Sequence, residues 1–168
     1  PQTATDWAAE PPDPDVADAP SGELPRRARR RQTLEIVAVI SLGGMIGSAA
    51  RYGAGLAWPT HSGAFPWTTF VINVVGCALM GALMVAVTEA FSAHRLVRPF
   101  LGTGVLGGFT TFSTYAIDSQ QLLTHASGRP AAQIALLYLA ATALCAVAAV
   151  WVGATATRLM LVRERRAR

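Results

Sequence analysis

Charge is scarce in this chain: charged residues make up 14% of its 168 positions, against 52% hydrophobic ones. A soluble domain of this length needs a polar face along its helices, so the shortage places the chain among membrane proteins. Cysteine is almost absent. Cys77 and Cys145 stand alone, with no pairs at metal-ligand spacing and no disulfide framework, and read as small apolar packing residues. No nucleophile has a positioned base, no metal-ligand cluster is visible, and His61, His94 and His125 fall in connections. Enzyme chemistry is excluded on those grounds.

Long apolar runs are what the chain has instead. Four candidate spans appear, Leu34 to Trp58, Phe65 to Thr88, Pro99 to Ile117 and Pro130 to Thr157, each near the roughly 20 residues that cross a bilayer. Residues 1–32 are acidic and proline-rich, end in an arginine cluster from Arg26 to Arg31, and hold too little apolar content for a core. They are expected to be a disordered tail. Residues 33–158 form the expected transmembrane domain, and residues 159–168 a basic cytoplasmic tail.

The sequence pI of 9.8 does not point to nucleic acid, because the arginines sit beside the apolar runs. With four spans, the N-terminal arm, Arg95, Arg98 and the C-terminal tail share one side, leaving Arg129 opposite. The positive-inside rule puts that side, with both termini, in the cytoplasm of a multi-pass protein of the cell membrane.

The third run contains GGFTTFSTY, Gly107 to Tyr115. Two adjacent glycines disfavour a continuous helix, and the hydroxyls of Thr110, Thr111, Ser113 and Thr114 can bond the backbone groups that a break releases. Such a break at membrane depth marks an ion or substrate site. The same residues could instead be a small-residue packing face.

Polar residues in the other runs align by helical spacing. Thr69 and Asn73 lie four apart on one face, as do Tyr138 and Thr142. A buried asparagine amide serves either as interhelical glue or as a donor to a desolvated anion, and a buried phenol needs a partner or a water path. Arg51, deep in the first run, either snorkels to the interface or faces inward at a subunit contact or pore mouth. Asp118 follows the third run where the chain is expected to return to water. In the first run, Gly43, Gly44 and Gly47 offer close helix approach.

Laid out in order, GGMIGSAARY, TTFVINVVG, GGFTTFSTY and a tyrosine in the fourth run resemble the Fluc (CrcB) family of fluoride channels, from about Gly43 to Gly153. The resemblance implies an all-α membrane protein of four transmembrane helices, the third broken at mid-membrane, assembled as an inverted, antiparallel dimer. It further implies passive fluoride export with a structural sodium ion (Na+) at the dimer interface. By motif position, the backbone carbonyls of Gly107 and Thr110 correspond to sodium ligands. Phe112 matches the first aromatic of the fluoride path, and Tyr115 stands where a second phenylalanine is usual. Asn73, Thr69, Ser113, Thr114, Tyr138 and Thr142 match polar positions along that path; Asp118 takes the place of a glutamate near a pore mouth, and Arg51 that of a first-span arginine. Ala146, one turn past Thr142, falls where a hydroxyl would extend the track.

Fluoride needs donors that replace its water, and hydroxyls, an amide and positive ring edges are such donors. The strong arginine bias suits a chain committed to one orientation, so a heterodimer with an oppositely oriented paralogue is expected, surrounded by membrane lipid. Two alternatives remain at this level: a small four-span exporter of drugs or cations, which normally needs an embedded carboxylate, and a non-transporting membrane scaffold.

Overall fold

The computed structural model describes residues 26–61, 64–90, 95–125 and 129–167. Every regular element among them is helical. They are α1 (Arg26–Ala57), α2 (Trp67–Val85), α3 (Gly107–Phe109), α4 (Ser113–His125) and α5 (Arg129–Ala167), with wide π-helical turns at Ala86–Ala90 and Arg98–Leu106.

Contacts divide the chain into Pro1–Thr33 and Leu34–Arg168. The described part of the first unit is helical from Arg26, where Thr33 Oγ1 donates back to the Arg29 carbonyl at 3.0 Å. The arginine cluster expected to end a disordered tail is therefore the first part of α1. Arginine is a good helix former, and nothing in RRARRRQT interrupts the ladder. Residues 1–25, which carry the rest of that expectation, lie outside the described residues.

In the second unit, proline sets two boundaries. The helix α1 stops at Ala57, ahead of Trp58 and Pro59, because a residue before proline is pushed out of helical geometry. Pro66, at φ −77°, precedes the first residue of α2. The Thr68 hydroxyl then donates to the Trp58 carbonyl and ties the two helix ends together.

Three helical stretches are long and apolar enough to cross a membrane: Arg26–Ala57, Trp67–Glu89 and Ala132–Arg166. The chain is thus a multi-pass membrane protein. The expected run from Pro99 to Ile117 is not one helix: Arg98–Leu106 and α3 lead to Thr110, whose ψ of 158° is extended, and the helix resumes only at Ser113. That second piece continues to His125, so Asp118 sits within a helix and not at its exit. Likewise α5 runs to Ala167, and the expected basic tail is helical as far as the description reaches.

Glycine lets these helices meet backbone to backbone. A methyl group at Gly81 would overlap the Val150 carbonyl and one at Gly153 the Ala78 carbonyl, which seats α2 against α5. Gly43 and Gly47 do the same for α1 against Phe100 and Val105. Close approach of this kind replaces the hydrophobic drive that lipid removes. Tyr138, fully buried, anchors the core between α4 and α5 with Leu122, Ala135, Phe65 and Phe70 around it.

Candidate functional site: the interrupted helix and its cavities

The interruption is built from local bonds. Leu106 O accepts both the N–H and the hydroxyl of Thr110, each at 3.0 Å, which closes the last turn of α3. Thr110 then turns extended. Thr111 caps α4: its Oγ1 accepts the Thr114 N–H at 3.1 Å, three residues on, as an N-cap does. The same hydroxyl donates to Thr114 Oγ1 at 3.0 Å.

Asn73 reaches the interruption from α2. Its Nδ2 donates to the Thr111 carbonyl at 3.0 Å and its Oδ1 accepts the Thr111 N–H at 2.9 Å. The amide thus ties α2 to the interruption.

Those bonds release two carbonyls. In a regular helix the N–H of Thr111 would serve Gly107 O, and that of Thr114 would serve Thr110 O. Here the first is bonded to Asn73 and the second to Thr111 Oγ1. The carbonyls of Gly107 and Thr110 thus lose those two helical partners, and a carbonyl is a neutral, hard oxygen donor of the type suited to a cation such as sodium.

Around the interruption the expected residues separate into two clefts with Thr111 on the border of both. One, of about 480 Å³, is lined by Arg51, Thr69, Ser113 and Thr114, joined by Ser48, Tyr52 and Thr68. The other, of about 440 Å³, brings together Asn73, Gly107, Thr110, Phe112, Tyr115 and Thr142, with Cys77, Ala143 and Ala146. Phe112 and Tyr115 keep ring centroids 5.7 Å apart in the second cleft. Phe112 is 80% exposed there.

Thr142 differs from its neighbours. It is 4% exposed, and its Oγ1 has no hydrogen-bond partner among the described residues. Other helical hydroxyls, such as Thr155 and Thr157, bond back to the carbonyl four residues earlier. The residue lines the cleft while its hydroxyl lies buried without a partner, a polar atom that calls for one such as a water or an ion.

Two expected path residues lie in neither cleft. Tyr138 is buried behind Tyr115, with ring centroids 5.3 Å apart, and its hydroxyl donates to Asp118 Oδ2 at 3.4 Å. Asp118 itself lines a smaller cavity of about 180 Å³ with Thr60, His61 and Gln121.

Sequence reading passed over Ser48 and Cys77 as site residues, and took Thr111 only as one of four hydroxyls able to bond freed backbone. Spacing could have found two: Ser48 is three residues before Arg51 and Cys77 four after Asn73, each on the same helical face. The capping role of Thr111 depends on where α4 restarts, which no local pattern marks.

Comparison with known proteins accords with this arrangement. Residues 38–154 match the family model described as CrcB-like protein, Camphor Resistance (CrcB). A Streptomyces coelicolor protein called "Fluoride-specific ion channel FluC 1" is 58% identical over 137 residues, 82% of this chain and 86% of that one. "Fluoride-specific ion channel FluC 2" of Streptomyces avermitilis is 57% identical over 159 residues, 92% of this chain and 98% of its own. The similarly titled "FluC 2" of Nocardia farcinica is 54% identical over 123 residues, 73% and 85% of the two chains. The matched span contains the interrupted helix, both clefts and the glycine contacts, and the chain belongs to the CrcB-like family of membrane proteins.

Proposed function

We propose that this chain forms a fluoride-selective channel through which cytoplasmic fluoride leaves passively, relieving fluoride toxicity. The observation that carries the reading is the buried, unpartnered hydroxyl of Thr142 in one cleft with Asn73, Phe112 and Tyr115. A small anion stripped of water needs donors and positive ring edges at close quarters, and an orphaned donor beside two rings is such a place. The names carried by relatives above 50% identity agree with it. An inside-negative potential drives an anion outward by about 2.3 kcal/mol per 100 mV.

In this reading the segment from Arg98 to His125 is the third of four crossings, with its interruption at mid-membrane. The cleft is open on the side of Phe112, and a second subunit in the inverted orientation completes it. Sodium binds at the carbonyls of Gly107 and Thr110, on the axis between the subunits, where it is structural and offsets anion charge. The arginine distribution supports a heterodimer with an oppositely oriented paralogue and both termini of this chain in the cytoplasm. Streptomyces avermitilis has both a "FluC 2" and a "FluC 3" among the relatives, so paralogues do coexist in one organism.

The exporter alternative would place its proton exchange on Asp118. That carboxylate already takes the hydroxyl of Tyr138 and lines a different, smaller cavity from the aromatic pair.

The deciding experiment is fluoride efflux from liposomes holding the purified chain, with chloride as the control ion. Rapid fluoride-selective efflux, abolished in Phe112→Ile, is expected from the chain alone or after addition of a neighbouring paralogue. Silence in both settings would sink the channel reading.

A further inference from the structure

At the second aromatic position this chain has a phenol, and the question is which way its hydroxyl is turned. Tyr115 Oη donates to the main-chain carbonyl of Leu139 at 2.8 Å. That length is ordinary for a strong O–H···O bond. A phenol has one proton to give, and here it goes to α5 and not to the cleft.

The bond spans two elements that shape the cleft. Tyr115 is in the first turn of α4, immediately after the interruption, and Leu139 lies one residue past Tyr138 and three before Thr142 on α5. Tyr115, Thr142 and Ala143 all line the same cleft. Around Tyr115 the ring is held on both flanks, by Phe112 at 5.7 Å and by Tyr138 at 5.3 Å between centroids. With the hydroxyl engaged and both flanks occupied, what the ring offers the cleft is carbon-bound hydrogen at its edge, where the aromatic quadrupole is positive.

The geometry points to Tyr115 as a residue whose hydroxyl ties α4 to α5, while its ring edge, not its hydroxyl, meets the ion. This inference rests on the reading of the cleft as a fluoride path. It makes the phenol equivalent to a bare ring in what it shows an anion, and it gives the extra oxygen a separate task.

The test compares Tyr115→Phe with Tyr115→Ile in liposome efflux, beside thermal unfolding in detergent, once the unaltered protein has shown fluoride-selective efflux. If the unaltered protein conducts neither alone nor with a neighbouring paralogue, the channel reading fails and not the role of Tyr115. Given conduction, Tyr115→Phe keeps its preference for fluoride over chloride, yet its Tm falls by about 2–4 °C, the shift expected for one lost hydrogen bond in a chain of this size. Tyr115→Ile loses efflux by about tenfold or more. A Tyr115→Phe protein with lost fluoride selectivity would show that the hydroxyl contacts the ion and would overturn the inference. So would one with unchanged Tm, because no tie would then exist. Should Tyr115→Phe not survive extraction, efflux is measured in whole cells, where retained fluoride resistance supports the inference and loss with normal membrane levels overturns it.

Discussion

The side chain of Asn73 is bonded to both main-chain polar groups of Thr111, accepting its N–H at 2.9 Å and donating to its carbonyl at 3.0 Å. One side chain thus satisfies both backbone groups where the helix is open.

Asn73→Ala strands both groups, and each unsatisfied buried polar group costs about 1–3 kcal/mol. A loss of about 2–4 kcal/mol in reversible unfolding is expected on that basis. Asn73→Asp retains the acceptor for the Thr111 N–H but sets a buried carboxylate against its carbonyl, so it too should lose stability. Equal stability of all three proteins would show that the amide does not hold the interruption.

Thr142→Val separates function from stability. The hydroxyl removed is buried and has no partner among the described residues, so the isosteric change should leave Tm unchanged or raise it. Fluoride efflux should fall, by about tenfold if one donor to a desolvated ion is worth about 1.4 kcal/mol. Thr142→Ser restores the hydroxyl and should restore the rate. A valine variant with unaltered efflux would remove Thr142 from the path.

Two neighbouring glycines should respond in opposite ways. A methyl at Gly47 would overlap the Val105 carbonyl, whereas one at Gly44 meets nothing within 4 Å. Gly47→Ala should cost about 1–3 kcal/mol through overpacking against backbone that cannot yield. Gly44→Ala should be near neutral. Unfolding of both variants in mixed detergent and denaturant reads the contrast, and equal losses would refute the packing of α1 described here.

Thr111→Val removes the cap of α4, for which a loss of about 0.5–2 kcal/mol is usual. Amide hydrogen exchange should quicken first at Thr114, whose N–H is the one Thr111 Oγ1 accepts. Uniform quickening across α4 would mean the cap contributes nothing local.

Much of this was legible from sequence, and the boundary is physical. The apolar runs could be read because hydropathy is a local property that a bilayer selects directly. Gly107, Gly108 and the hydroxyls after them announced an interruption because backbone freedom and hydroxyl chemistry act within a turn. What Asn73 would bond to could not be read, since its partner is 38 residues away. Nor could the separation of Arg51, Thr69, Ser113 and Thr114 from Phe112, Tyr115 and Thr142 into different clefts, which depends on how α2 crosses α4 and α5. The helical state of Arg26 to Arg31 was missed because composition argued for a solvated tail, while a helix already nucleated by its apolar half extends into good helix formers at little cost.

The length of α5 has a consequence for biogenesis. Its 39 residues, at about 1.5 Å each, make a rod of about 58 Å, nearly twice the thickness of hydrocarbon it would cross. The surplus carries Arg158, Arg163, Arg165 and Arg166, and it is moored sideways: Arg158 pairs with Glu89 at 2.8 Å and Arg165 donates to the Glu89 carbonyl. To turn over after synthesis, the molecule would have to draw that moored arginine rod through the oil as one piece, at about 2.5–3.5 kcal/mol per arginine even on the gentlest scale. Whichever way the chain first inserts, that barrier stands against a later reversal.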